Sequence, residues 1–235
     1  MKLKTKVTND VVQHVAELCE AADEALVMNV SRPYHTICSN LSGELLVVLS
    51  GTTRPLTGRE VAKLVKGGSQ TGVNRALHQL VEHGIVNAQE AGKAILYTLN
   101  RKHIAAKAVE KLAGMREEFL HRLRKSLSKW KIAPHHASLF GSAAREDGDT
   151  FSDIDIFLVR PQNIDEENPQ WRNQVERWVR DIRRWTGNNV GLSEIPERKI
   201  GQLKKRYPAR SDIVCSILSD GITLAGPSPA ELFKK

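Results

Sequence analysis

Apolar residues recur along the chain with two periods, and the period changes with position. Within Asn9–Met28, the residues Val11, Val12, Val15, Leu18, Cys19, Ala22 and Leu26 fall on one face at helical spacing. A less regular stretch containing Pro33 runs to Asn40. Gly43–Gly51 reads as a short apolar helix. Thr57 followed by Glu60 forms a capping box for a second helix, with Val61, Leu64 and Val65 inward and Gly67-Gly68 ending it. Ser69 is an N-cap for a third helix whose apolar set is Val73, Leu77, Leu80 and Val81. Gln70, Thr71, Asn74, Arg75 and His78 occupy its other face, and Gly84 stops it. The period then shortens, predicting strands at Ile85–Gln89 and Ala94–Leu99 joined by the turn Glu90–Lys93.

Beyond Leu99 a helix-forming, cation-rich stretch, Arg101–Lys131, leads to a second group of elements. These are an apolar strand Ala137–Phe140, a helical turn Ala143–Asp147 and a strand around Asp153–Leu158. A strongly amphipathic helix follows at Pro169–Trp185, with Trp171, Val175, Trp178, Val179, Ile182 and Trp185 on its packing face. A strand Asn189–Ile195, a helix Glu197–Arg206 and a closing segment Asp212–Gly226 come next, with Pro227 and Pro229 expected to end the ordered part. His135 and His136 are expected in a polar loop ahead of the first strand. Helices and short strands in this order give an α+β chain.

Charge separates the two groups. Residues 1–135 carry 20 Lys+Arg against 12 Asp+Glu, and residues 136–235 carry 15 of each, so the net +8 lies wholly in the first part. That asymmetry suggests a nucleic-acid-binding module joined to a neutral one. Cys19, Cys38 and Cys215 are isolated, without metal or disulfide spacing. No apolar run approaches the ~18 residues of a membrane span, and no secretory pattern opens the chain, so a cytoplasmic protein without membrane partners is expected.

The candidate chemistry sits at Phe140-Gly141-Ser142 and Asp153-Ile154-Asp155-Ile156. On a strand, Asp153 and Asp155 project from one face while Ile154, Ile156 and Leu158 fill the other. Two acids this close repel unless a cation lies between them. Oxygen-only ligands suit Mg²⁺, which binds through one or two carboxylates plus substrate phosphates; Mn²⁺ is the alternative. The Gly-Ser turn ahead of a helix offers backbone N–H groups and a hydroxyl to phosphate oxygens.

The runs Leu139–Arg145 and Ser152–Val159 resemble the signature of the polymerase-beta nucleotidyltransferase superfamily, above all its minimal members. The resemblance implies a small mixed-sheet domain that transfers a nucleoside monophosphate from ATP or another NTP to a hydroxyl on protein, RNA or a small molecule. It implies metal and catalytic roles for Asp153 and Asp155, and nucleotide contacts at Gly141, Ser142, Arg145 and Ser152. A third acid is expected on a later strand. This chain has Gly191 where many relatives carry Asp, and Glu194 is the candidate substitute, at the strand's end within reach of the pair. An alternative reading is a DNA-binding transcriptional regulator whose nucleotidyltransferase fold is inert or only senses nucleotide.

Leu80-Val-Glu-His-Gly84-Ile85-Val86 and Tyr97-Thr-Leu99 resemble the winged helix-turn-helix regulators of the MarR and ArsR type. That resemblance implies double-stranded DNA as a partner, contacted by Ser69, Gln70, Thr71, Asn74, Arg75 and Lys93, and a homodimer on paired half-sites. The expected organisation is an N-terminal helix and connection (1–40), a winged helix-turn-helix domain (41–100), a basic linker helix (101–131) and a nucleotidyltransferase domain (132–235). A transferase that represses its own toxin–antitoxin or defence operon would join the two resemblances.

Overall fold

A computed structural model describes residues 27–65, 67–206 and 212–234. Residues 9–26 of the expected first helix lie outside the described residues. The described chain forms two compact units, 29–129 and 130–234, the latter joined by Met28. Among the described residues no helix is long and apolar enough to cross a membrane.

The first unit opens with a 3₁₀ turn, Pro33–Thr36, and the helix α1 (Leu41–Ser50), capped by Asn40 Oδ1, which accepts from Gly43 N at 3.0 Å. The strand β1 (Leu56–Thr57) precedes α2 (Gly58–Leu64). The capping box forms as its residues dictate: Thr57 Oγ1 accepts from Glu60 N at 3.2 Å, and Glu60 Oε2 accepts from Thr57 N at 2.7 Å. Those contacts, with Arg54, hold the Glu60 carboxyl down at about 2. Ser69 Oγ accepts from Gly72 N to start α3 (Gln70–Glu82). The strands β2 (Val86–Ala91) and β3 (Ala94–Leu99) pair antiparallel across Gly92-Lys93, and β1 pairs with β3, giving the order β1–β3–β2. The sequence does not announce β1, because two residues show no period.

The stretch expected as a linker helix is two helices, α4 (Ala106–Ala113) and α5 (Met115–Leu127), separated at Gly114. Ala106 and Val109 belong to the same core as Leu45, Leu49, Val61, Val73 and Leu77, and α5 buries Phe119, Leu120, Leu123 and Leu127. Its cations mask an apolar stripe at helical spacing, so the segment is part of the first unit.

The second unit is built on a four-stranded sheet in the order β6–β5–β4–β7: β4 (His136–Phe140), β5 (Ile154–Arg160), β6 (Val190–Pro196) and β7 (Ile222–Ala225). β5 and β6 are parallel and the other pairs antiparallel, so the sheet is mixed. A parallel pair needs a crossover, here supplied through α7 (Pro169–Thr186), whose Trp171, Trp178 and Ile182 are buried. Between β4 and β5 stands the short helix α6 (Gly141–Arg145). After β6 come a 3₁₀ turn (Glu197–Lys199), α8 (Ile200–Arg206) and α9 (Asp212–Asp220). Phe140, Phe157, Val159, Ile200, Val214 and Ile217 form a core with the chain's end.

Two expectations are corrected here. Pro227 and Pro229 do not end the ordered part: Ser228 and Glu231 form a second capping box, and α10 (Pro229–Leu232) buries Leu232 while Phe233 follows it inward. His136 is the first residue of β4 and fully buried rather than in a polar loop. Its Nδ1 lies 2.8 Å from the Pro227 carbonyl, which can only accept, so Nδ1 carries the proton and Nε2 accepts from Ser138 Oγ at 3.0 Å. Burial lowers its pKa.

Candidate active site

The site begins where β4 ends. Gly141 adopts φ +69, turning the chain directly from strand into α6. A side chain there would be strained by that φ, and its Cβ would overlap Asp155 Oδ2. Phe140 is paired with Asp155 across the antiparallel ladder, and Asp155 with Gly191 across the parallel one. A Cβ at Gly191 would stand 2.8 Å from Asp155 Oδ1. Gly141, just past the end of β4, and Gly191 on β6 therefore make the cradle that the Asp155 carboxylate fills.

Asp153 immediately precedes β5 and is exposed; Asp155 is partly buried. Burial raises the Asp155 pKa, and the negative charge of Asp153 raises it further, against a smaller opposing effect of Arg145. Among the described residues, no hydrogen bond or ion pair ties either carboxylate to another side chain. This is an acid pair whose repulsion Arg145 offsets only in part, which suits one hard divalent cation held by two carboxylates and substrate oxygens. Among the described residues no three of His, Cys, Asp and Glu gather closely enough to hold a metal between them.

The loop ahead of the pair is built of hydrogen bonds. Ser152 Oγ donates to Asp149 Oδ1 at 2.8 Å and accepts from Asp149 N at 2.9 Å. The buried Asn188 donates Nδ2 to the Thr150 and Ser152 carbonyls, each at 3.2 Å. Ser152, expected as a nucleotide contact, is thus engaged in the loop itself. Phe151 is left 83% exposed beside the acids.

Arg145 closes α6. Its Nε donates to Asp147 at 2.9 Å, and its Nη1 lies 3.3 Å from Asp220 and 3.5 Å from Ser216 on α9. Phe140, Arg145, Asp155, Gly191, Leu192 and Ser193 line one side of a cleft of about 590 Å³, and Ile213, Cys215 and Ser216 of α9 line the other. Ser142 sits in the first turn of α6, at the turn that Gly141 makes. Sequence reading missed Ser193 and the α9 residues. Strand alternation from Gly191 would have reached Ser193, whereas the approach of α9 is a tertiary fact without a local signal.

Glu194 is corrected. It pairs with Leu158, one strand residue out of phase with the Asp155–Gly191 pair, so it projects from the opposite face of the sheet. There its Oε1 accepts from Trp171 Nε1 at 3.0 Å and lies 3.0 Å from Nη1 of Arg160. Arg160 is 3% exposed, so Glu194 neutralises a buried cation and does not reach the aspartates. The Asp155 carboxylate would have to shift to admit a side chain at Gly191.

In the first unit, Ser69, Gln70, Thr71, Asn74, Arg75 and Lys93 are all exposed. The first five lie at or within the start of α3, where Gln70 Nε2 donates to Asn74 Oδ1 at 3.0 Å. Lys93 stands at the hairpin tip beside Gly92, whose φ is +62.

Residues 120–210 match the family model described as the nucleotidyltransferase domain. No curated protein matches the sequence. Among solved structures, a mutant of the toxin–antitoxin MntA–HpeT is 17% identical, covering 48% of this chain and 79% of that one, with a TM-score of 0.33. A toxin–antitoxin with AMP-PNP is 16% identical, covering 50% of this chain and 81% of that one, with a TM-score of 0.31. A candidate nucleotidyltransferase from Sulfolobus solfataricus is 23% identical, covering 46% of this chain and 83% of that one, with a TM-score of 0.26. Residues 120–210 are thus similar to a nucleotidyltransferase domain, and a transferase enzyme is the reading that this match supports.

Proposed function

We propose that the second unit transfers a nucleoside monophosphate from an NTP, ATP foremost, to a hydroxyl acceptor. The observation that carries this reading is Asp155, which lines the cleft at the Gly141 turn without a partner for its charge, with the exposed Asp153 two residues ahead raising its pKa. The acceptor oxygen forms a bond to the α-phosphorus as the bond to the β-phosphate oxygen breaks. Pyrophosphate leaves, and the hydroxyl proton passes to solvent. Asp153 and Asp155 would hold Mg²⁺ or Mn²⁺, which supplies charge neutralisation at the phosphates when bound. The Gly141-Ser142 turn and Arg145 receive the phosphates.

Incubation of the full chain with each labelled NTP, Mg²⁺ and host lysate identifies the acceptor. Asp153→Asn combined with Asp155→Asn should abolish Mg²⁺-dependent transfer while the thermal transition persists. Unchanged labelling by the double variant would remove the acids from the site.

The first unit is read as a winged helix that binds duplex DNA. Support comes from three helices followed by a hairpin, from the exposed polar start of α3 and from the charge excess of residues 1–135. Binding by the full chain should weaken steeply with salt, because phosphate contacts release counterions. Arg75→Ala should cost about 1–3 kcal/mol if it reads a base. A two-copy complex on paired half-sites is the expected stoichiometry, and the mass of the complex tests it. Such a protein suits a self-repressed operon of the toxin–antitoxin or defence kind.

A second reading, a DNA-binding regulator that only senses nucleotide, is favoured by one observation: Glu194 faces away and no third acid joins the pair among the described residues. Tight Mg²⁺–NTP binding without transfer to any lysate component distinguishes it.

A further inference from the structure

We infer that Asp220, at the far end of α9, is a positioning residue that aims Arg145 at the triphosphate. This rests on the proposed nucleotide site and names how that site is set.

Among the described residues, Arg145 is the one cation that lines the cleft. Its side chain is 41% exposed, and a long cation at that exposure samples many rotamers unless it is held. Two carboxylates hold it here. Asp147 takes Nε from within the same turn and is itself 56% exposed. Asp220 lies against Nη1 at 3.3 Å and is only 23% exposed. Among the described residues neither contact uses Nη2, the edge of the fork that a phosphate would take.

Asp220 is not placed for the benefit of its own helix. It is the last residue of α9, where the macrodipole makes a negative charge unfavourable. Ser216 stands one turn earlier on the same face, 3.5 Å from the same Nη1. Both residues thus turn toward Arg145, and α9 packs against α6 and β4. The other end of α9 contributes Ile213 and Cys215 to the cleft wall. The Arg145–Asp220 pair therefore fastens the phosphate turn to the helix that forms the opposite wall. A pre-aimed guanidinium loses less freedom when it binds phosphate than one that must be ordered at that moment.

The test is calorimetric titration of the full chain with ATP and, separately, with AMP, both in Mg²⁺. Asp220→Asn should weaken ATP about tenfold and leave AMP within twofold, since only the triphosphate reaches the guanidinium; Asp220→Glu should restore most of the loss. A general loosening of the cleft would weaken both nucleotides alike, and that result overturns the inference, as does unchanged or tighter ATP binding. If Asp220→Asn does not fold, Asp220→Ser carries the same test: loss confined to ATP supports the pair, and equal loss for both nucleotides overturns it. No ATP binding by the unaltered protein removes the nucleotide site itself and this inference with it. Normal ATP binding with an insensitive Asp220 removes the inference alone.

Discussion

Asp155 and Glu194 sit on neighbouring strands of one sheet, yet they are opposite kinds of carboxylate. Glu194, on the α7 face, is fully employed by the Arg160 guanidinium and the Trp171 indole. Asp155, on the α9 face, has two glycines for neighbours and a second acid ahead of it. Proximity in sequence to a motif therefore says little about role. What separates a structural acid from a reactive one is whether the fold has supplied a partner for its charge.

The largest test of that contrast is Glu194→Gln. It removes the nearer of two carboxylates from the buried Arg160 cation, leaving Glu166 at 3.5 Å, and should destabilise the fold by about 1.5–3 kcal/mol, the scale of a lost hydrogen bond to a charged group. Denaturant unfolding measures this. The protein that remains folded should keep its transfer rate, and a selective loss of rate at full stability would return Glu194 to the site. Gly191→Ala comes next. The added Cβ meets the Asp155 carboxylate, so stability should fall by about 1–2 kcal/mol through overpacking, with weaker Mg²⁺-dependent nucleotide binding. Full retention of both would mean that the cradle is looser than it stands here.

Asp155→Asn should act in the other direction. The folded pKa of Asp155 is raised, so the native state holds its proton to higher pH than the unfolded chain does. Its ionisation therefore subtracts stability as pH rises through the ordinary carboxylate range and beyond the raised value. Removing the charge should raise stability at pH 7, with the gain fading as pH falls through the carboxylate range. Thermal unfolding at the two pH values reads it; equal gains at both would assign the effect to something other than ionisation. The smallest effect belongs to Glu146, which caps α6 with φ 63. Glu146→Gly should stabilise by about 0.5 kcal/mol, because left-handed strain is relieved against a looser unfolded chain.

How much of this could be read from the residues follows the range of the interactions. Thr57 with Glu60, and Ser69 with Gly72, are contacts within one turn, and both caps were legible. Gly141 and the two-residue spacing of Asp153 and Asp155 were legible for the same reason. Glu194 was also partly legible: alternation puts it with Val190 and Leu192, on the core side. The expectation of a third acid overrode that parity. Its true partner, Arg160, is 34 residues away in sequence and reaches it only because β5 and β6 are parallel. The burial of α4 and α5 was hidden by a composition rich in cations, which report the solvent side of a helix and not its inner stripe.

The parallel alignment of β5 and β6 also bears on how the protein folds. Asp155 meets Gly191 only after the whole crossover through α7 has been laid across the sheet. Closing a segment of that length is slow compared with forming local turns and hairpins. In refolding followed by pulse-labelled hydrogen exchange, amides of β2 and β3 should gain protection ahead of those in β6. Capacity to bind nucleotide should then appear only with the later phase, so a chain caught midway would already have its hairpin and still lack its cleft.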